Sequence, residues 1–190
     1  MRPRFLPAAL SLALVAALVP LTSALRKPQP APGPHTVILV RHAEKDSAKD
    51  KNDPPLTAGG TARAEELARL LAHAGVTRLV ASEFRRTQAT LAPLAKATGV
   101  TLEKRPAKEL AALAEELRDA PAGSVTIVAG HSNTVPQLAE ALGAPLPGIA
   151  KGANLGDDEY DRLFVLTVGL EPKPGAPAQG LAVELLYAPR

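Results

Sequence analysis

The 190-residue chain contains no cysteine. Without thiols it can form no disulfide, build no thiolate zinc site and carry no lipid on a cysteine, so an apolar core must hold the fold together. Paired metal ligands are missing too. The four histidines, His35, His42, His73 and His131, form no His-x-x-x-His pair and none stands at helical ligand spacing from another. No metal ion and no other cofactor is therefore expected. Charge of one sign is also scarce. The formal net charge is +3, and it falls to +1 when residues 1–24 are removed, because that segment carries Arg2 and Arg4 and no acid. So small an excess leaves no electrostatic footprint for nucleic acid. There is no internal repeat and no motif for a protein partner.

What is present fits one compact domain, with 46% apolar and 22% charged residues in a chain of single-domain length. Residues 1–24 read as a secretory signal: a basic start at Arg2 and Arg4, an apolar stretch from Phe5 to Leu21, and small residues at Thr22, Ser23 and Ala24. Cleavage is expected after Ala24, which exports the domain to the periplasm or the extracellular space and leaves it free of the membrane. An uncleaved signal would instead act as an anchor. Residues 25–34 are a proline-rich linker that can sustain neither helix nor ladder. The folded domain is expected over residues 35–190.

Within it, apolar β-branched runs alternate with amphipathic stretches. Strands are expected at residues 36–40, 79–82, 125–129, 163–168 and 181–187, with a third strand or loop ahead of Glu109. Helices are expected where Ala64, Leu67, Leu70, Leu71 and Ala74 recur on one face, around Leu91, Leu94 and Ala95, and around Leu110, Leu113 and Leu117. A further helix opens at Thr134, whose spacing to Gln137 reads as a capping box. The proline- and glycine-rich residues 171–180 suggest a hairpin loop. This alternation predicts an α/β fold with a mostly parallel sheet covered on both faces, one or two late strands running antiparallel at an edge. Ligands bind such sheets beyond the carboxyl ends of strands. Arg41 and His42, residues 82–85, and His131 all fall there.

Four motifs occupy these positions in order: Val40-Arg41-His42-Ala43-Glu44-Lys45, Leu56-Thr57-Ala58-Gly59-Gly60, Ser82-Glu83-Phe84-Arg85-Arg86-Thr87-Gln88, and Gly130-His131-Ser132-Asn133. Together they resemble the signatures of the histidine phosphatase superfamily, which includes phosphoglycerate mutases, phytases and phosphohistidine phosphatases. The resemblance extends from His35 to about Val168 and implies a three-layer α/β/α sandwich. The chemistry also stands without the family. Phosphoryl transfer is mainly a matter of positioning and of neutralising oxygens. Arg41 and Arg85 can offer forked donors to phosphate. Arg86 competes with Arg85, but the serine-x-x-arginine spacing and the Thr87-Gln88 that follow the pair favour Arg85. Two guanidinium charges would keep the His42 ring neutral and nucleophilic, while His131 would donate to phosphoryl oxygens. The resemblance gives the two histidines these same roles. Asn133 is either a substrate contact or a helix starter, and Thr57 suits a helix N-cap. The acidic run Asp157, Asp158, Glu159 and Asp161 reads as a solvated turn, and His35 and His73 as surface or linker residues.

The acid that would protonate a leaving group is harder to find. The phytase-like branch carries it directly after the second histidine, where this chain has Ser132. The mutase-like branch draws it from the segment after the second arginine, where Glu109 is preferred over Glu103 because it opens a helix; Glu83 and Glu44 are the other choices. The function expected is hydrolysis of a small phosphorylated substrate through phosphorylated His42. A phosphohistidine phosphatase or a mutase of the same superfamily, and a non-catalytic phosphate-binding protein, are the alternatives.

Overall fold

The computed structural model describes Ala31, residues 33–170 and residues 180–188. The expected signal, most of the linker and most of the 171–180 connection lie outside the described residues. Six strands form one sheet: β1 (His35–Arg41), β2 (Arg78–Ser82), β3 (Leu102–Arg105), β4 (Val125–Gly130), β5 (Arg162–Val168) and β6 (Leu181–Leu186). Four helices accompany them: α1 (Ala58–Leu71), α2 (Arg85–Thr98), α3 (Leu110–Arg118) and α4 (Thr134–Ala141). Across the sheet the order is β3-β2-β4-β1-β5-β6. The first four strands are mutually parallel, and β5 runs antiparallel to both of its neighbours.

The unbroken apolar run of β1 follows from burial on two faces. Val37 and Leu39 point into a core with Phe164, Leu166, and the inner faces of α3 and α4, including Leu113, Leu117 and Leu138. Ile38 and Val40 point the other way, towards Leu67 of α1 and Leu91 and Leu94 of α2. These two cores are the interfaces of the three-layer α/β/α sandwich. The connections through α1 and α2 lead from β1 towards β3, and those through α3 and α4 lead back past β4 to β5. The direction of winding therefore reverses between β1 and β4, which makes the crevice at their carboxyl ends the natural ligand site.

Local chemistry sets the helix boundaries near that crevice. Thr57 is the N-cap of α1, its hydroxyl accepting from the Gly60 amide at 2.9 Å. Gly60 lies hard against the Glu44 backbone, so a Cβ there would collide. The Thr57 amide also donates to the Glu44 carbonyl at 2.9 Å. The second motif thus braces the chain that leaves His42. Two expectations are corrected. Thr134 forms no capping box, because its hydroxyl accepts from the His131 amide at 2.8 Å instead. His35 is buried, with Nδ1 2.7 Å from the Gly33 carbonyl, because the register of β1 turns it inward.

Candidate active site

The carboxyl ends of β1, β2 and β4 open into a cleft of about 640 Å³ lined by Arg41, His42, Lys45, Phe84, Arg86, Lys108, His131, Ser132, Asn133 and Asp157, among others. His42 continues β1, its amide donating to the Gly130 carbonyl at 2.9 Å. The next amide, Ala43, donates to the Thr90 hydroxyl at 2.9 Å. These bonds leave the ring little freedom. Its Nδ1 stands 2.8 Å from the Ala43 carbonyl, an acceptor only, so the network assigns the proton to Nδ1 and leaves Nε2 as the free lone pair. Burial, aided by the charges of Arg86, His131 and Arg41 and opposed by the Ala43 hydrogen bond, lowers the His42 pKa to about 3.

His131 follows β4 and faces His42 edge to face, ring centroids 5.4 Å apart. A second polar chain orients it. Thr87 donates to the Phe84 carbonyl at 2.7 Å, and Ser82 Oγ lies 2.8 Å from Thr87 Oγ1 and 2.9 Å from His131 Nε2. With Ser82 donating to Thr87, its oxygen accepts from Nε2–H, and His131 Nδ1 keeps its lone pair. That nitrogen is 3.4 Å from Arg86 Nη2. Burial and the Arg86 charge lower the His131 pKa to about 4, Glu83 acting in the opposite direction.

The second arginine lining the cleft is Arg86, not Arg85. Arg85 is solvent-exposed at the first turn of α2, and only its backbone amide is engaged, donating to Asp53 at 2.9 Å. Arg86 points inward over the Phe84 ring at 4.4 Å, with Asp53 3.7 Å from Nη1. The reason is helical phase. Thr90, Leu91 and Leu94 form the buried face of α2, and Arg86 lies one turn before Thr90 on that face. The phase was readable from the leucines. The serine-x-x-arginine spacing carries no such phase.

Arg41 is buried, and Nη1 donates to the carbonyls of Gly156 and Asp157 at 2.5 and 3.2 Å. Among the described residues, the Nε–H groups of both Arg41 and Arg86 are buried without a partner. Arg41 and Arg86 both line the cleft, and two guanidinium cations there form a site suited to an oxyanion. Asn133 stands exposed on the cleft wall and makes no capping bond with its side chain.

None of the expected acids lines the cleft. Glu109 ends a single turn of 3₁₀ helix (Ala107–Glu109), is exposed, and borders a separate small cavity beside Arg105 and Leu113. The turn directs Ala107, Lys108 and Leu110 to the cleft in its place. Glu44 is bidentate to Arg63, Glu103 is bound to Arg78, and Glu83 accepts from the Ala107 amide at 2.7 Å. Asp157, from the acidic run, is the one carboxylate residue among those lining the cleft. That run is no mere solvated turn, because its backbone covers Arg41. Among the described residues no group of three or more His, Asp or Glu could hold a metal ion, and no helix is long and apolar enough to cross a membrane.

The family model of the histidine phosphatase superfamily (branch 1) matches residues 37–111, which carry His42, Arg86 and the first three motifs. Over those residues the chain is similar to the histidine phosphatase superfamily. Solved structures agree in fold. A candidate phosphohistidine phosphatase, SixA from Nakamurella multipartita, is 25% identical over 84% of this chain and 98% of its own, with a TM-score of 0.55. A mycobacterial glucosyl-3-phosphoglycerate phosphatase covers 83% of this chain and 100% of its own at 15% identity and a TM-score of 0.57. The protein histidine phosphatase SixA bound to tungstate covers 80% and 96% at 19% identity and 0.53. No curated protein sequence matches the chain. The partial family match and the shared sandwich accord with the fold expected from the four motifs.

Proposed function

We propose that this chain is a phosphatase of the histidine phosphatase superfamily that works through a phosphohistidine on His42. The observation that carries the reading is the buried His42 ring, its Nδ1 tied to the Ala43 carbonyl, in one cleft with Arg41, Arg86 and His131. His42 Nε2 would attack phosphorus while the bond to the leaving group breaks. Water would then attack the phosphohistidine, releasing inorganic phosphate and the free ring. Arg41 and Arg86 hold the phosphoryl oxygens. His131, neutral when the pocket is empty, gains a proton on Nδ1 as an anion binds, because the negative charge offsets its burial and the arginines. It then donates to the same oxygens.

The substrate class follows from the acids. With Glu44, Glu83 and Glu103 bound elsewhere, Glu109 outside the cleft and Asp157 the one carboxylate residue lining it, leaving groups that need little protonation are favoured, so phosphoramidates such as phosphohistidine and aryl phosphates rank above alkyl phosphates. Hydrolysis is preferred to mutase or purely binding roles, since water reaches an open cleft and the nucleophile is intact. The reaction requires no metal. The signal-like residues 1–24 support action outside the cytoplasm, to be checked by fractionation of the native host.

The test is phosphate release from a phosphohistidine peptide, an aryl phosphate and a sugar phosphate, with and without chelator, beside His42→Ala. Chelator-insensitive activity that disappears in His42→Ala and ranks the sugar phosphate last is expected. Turnover that persists in His42→Ala would refute the covalent route. Phosphate binding without turnover on any substrate would favour the binding-protein alternative.

A further inference from the structure

Arg41 differs from the other well-anchored arginines in what neutralises it. Arg63 is paired with Glu44, Arg78 with Glu103 and Glu116, and Arg162 with Glu159 and Glu184. Arg41, only 5% exposed, has no carboxylate within ion-pair distance among the described residues. The loop of residues 156–160 holds it with neutral groups instead. Nη1 donates to the Gly156 and Asp157 carbonyls, the Tyr160 ring lies 4.2 Å from the guanidinium carbon, and the Tyr160 hydroxyl is 3.5 Å from Nη2. Carbonyl dipoles and a π face attract the cation without cancelling its charge. The charge stays available to an incoming anion.

The loop is itself fastened from outside. Glu159 accepts from the Gly156 amide at 2.6 Å and from Arg162 at 3.1 Å, and Arg162 is bound in turn to Glu184 of β6. At its start the Leu155 amide donates to the Ser132 carbonyl at 2.9 Å, beside His131. The Glu159 carboxylate is thereby turned away from Arg41 while the loop carbonyls face it. The Tyr160 ring also lies 5.9 Å from the His42 ring, so it occupies the angle between nucleophile and guanidinium.

We propose that Tyr160 is a positioning residue for oxyanion capture: its ring, seated by the 156–160 loop, fixes the Arg41 guanidinium at the wall of the cleft. The inference rests on the reading of Arg41 as a phosphate-binding group. Removing the ring leaves the guanidinium held on one edge only and free to turn, so affinity for an anion drops although no group expected to contact the anion has been changed. A cation–π contact of this kind corresponds to a loss of about tenfold in affinity. The ring, rather than the marginal hydroxyl contact, carries the effect.

The experiment is calorimetric titration of inorganic phosphate into the parent protein, Tyr160→Phe and Tyr160→Leu, with melting temperatures and with KM and kcat on an aryl phosphate. Tyr160→Leu is expected to bind phosphate about tenfold more weakly and to show a matching rise in KM, while Tyr160→Phe stays within about threefold of the parent. Folded Tyr160→Leu with phosphate affinity within twofold of the parent would overturn the proposal, as would Tyr160→Phe failing as badly as Tyr160→Leu. If Tyr160→Leu does not fold, Glu159→Gln, which loosens the loop without touching the pocket, should weaken phosphate binding about threefold, and unchanged affinity there would overturn it. Lack of turnover in the parent would count against the phosphatase reading alone, because phosphate titration needs no catalysis.

Discussion

Replacing Arg86 with alanine, beside the same change at Arg85, separates two neighbours that the sequence leaves nearly equivalent. Arg86 lines the cleft, its Nε–H lacks a partner, and its Nη2 is 3.4 Å from His131 Nδ1, a contact that an arriving phosphoryl oxygen can replace. Two charge-assisted hydrogen bonds to a phosphoryl group, at about 1.5–3 kcal/mol each, amount to about 3–6 kcal/mol. At 1.36 kcal/mol per decade this is a loss of about 10²–10⁴ in kcat/KM. Arg85 is exposed and engages the protein near the site only through its backbone amide, which alanine retains. Its loss should remain within about 0.5 kcal/mol, or about twofold. Steady-state kinetics on an aryl phosphate gives the ratio, and melting curves control for folding. A second readout is independent of turnover. The Arg86 charge helps to lower the pKa of both His42 and His131, so NMR titration of Arg86→Ala should show both rings protonating at higher pH than in the parent. Equal damage from Arg85→Ala, or less than a tenfold loss in Arg86→Ala, would refute the assignment.

Four further outcomes follow from the same geometry. His42, held at about 3 by burial and the neighbouring cations, should show no ring titration by NMR between pH 8 and pH 5; a midpoint between 6 and 7 would contradict the buried neutral ring. Because the unfolded ring takes up its proton near 6.5 and the folded one does not, the stability this ring contributes is complete above about pH 6.5. It is lost as pH falls towards 3, which urea unfolding at descending pH would follow. Gly60→Ala would drive a methyl into the Glu44 backbone, which cannot yield as a side-chain tip can, so a loss on the order of 1–3 kcal/mol is expected, and an unchanged melting temperature would disprove the close approach. Thr90→Val keeps the volume but leaves the Ala43 amide without its acceptor, costing about 1–3 kcal/mol by denaturant unfolding, and a neutral result would mean that another acceptor had replaced the hydroxyl.

Much of the architecture was legible in the residues. The continuous apolar run of β1 implied burial on both faces, and the two cores flanking Val37 and Ile38 bear this out. The short β3 was harder, because its Glu103, Lys104 and Arg105 offer no apolar alternation; it is a strand because it pairs with β2, from Leu102 opposite Leu79 to Arg105 opposite Ser82. Antiparallel β5 between β1 and β6 likewise depends on a return path that no local pattern encodes.

Of the residues that line the cleft, the sequence by itself determined the placement of several: Arg41 and His42 at the end of a buried strand, a paired arginine at the start of α2, and His131 at the end of β4. It could do so because strand ends and helix starts are written in local periodicity, and periodicity needs no knowledge of the rest of the chain. Which arginine turns inward also lay within reach, through the phase of Thr90 and Leu94. Tertiary structure alone decided the rest. That Glu109 misses the cleft, that Glu44 is spent on Arg63, and that Tyr160 comes to lie against Arg41 are contacts between segments 19 to 119 residues apart. Such contacts are set by how layers pack, and side-chain pattern along one segment carries no information about the distance to another.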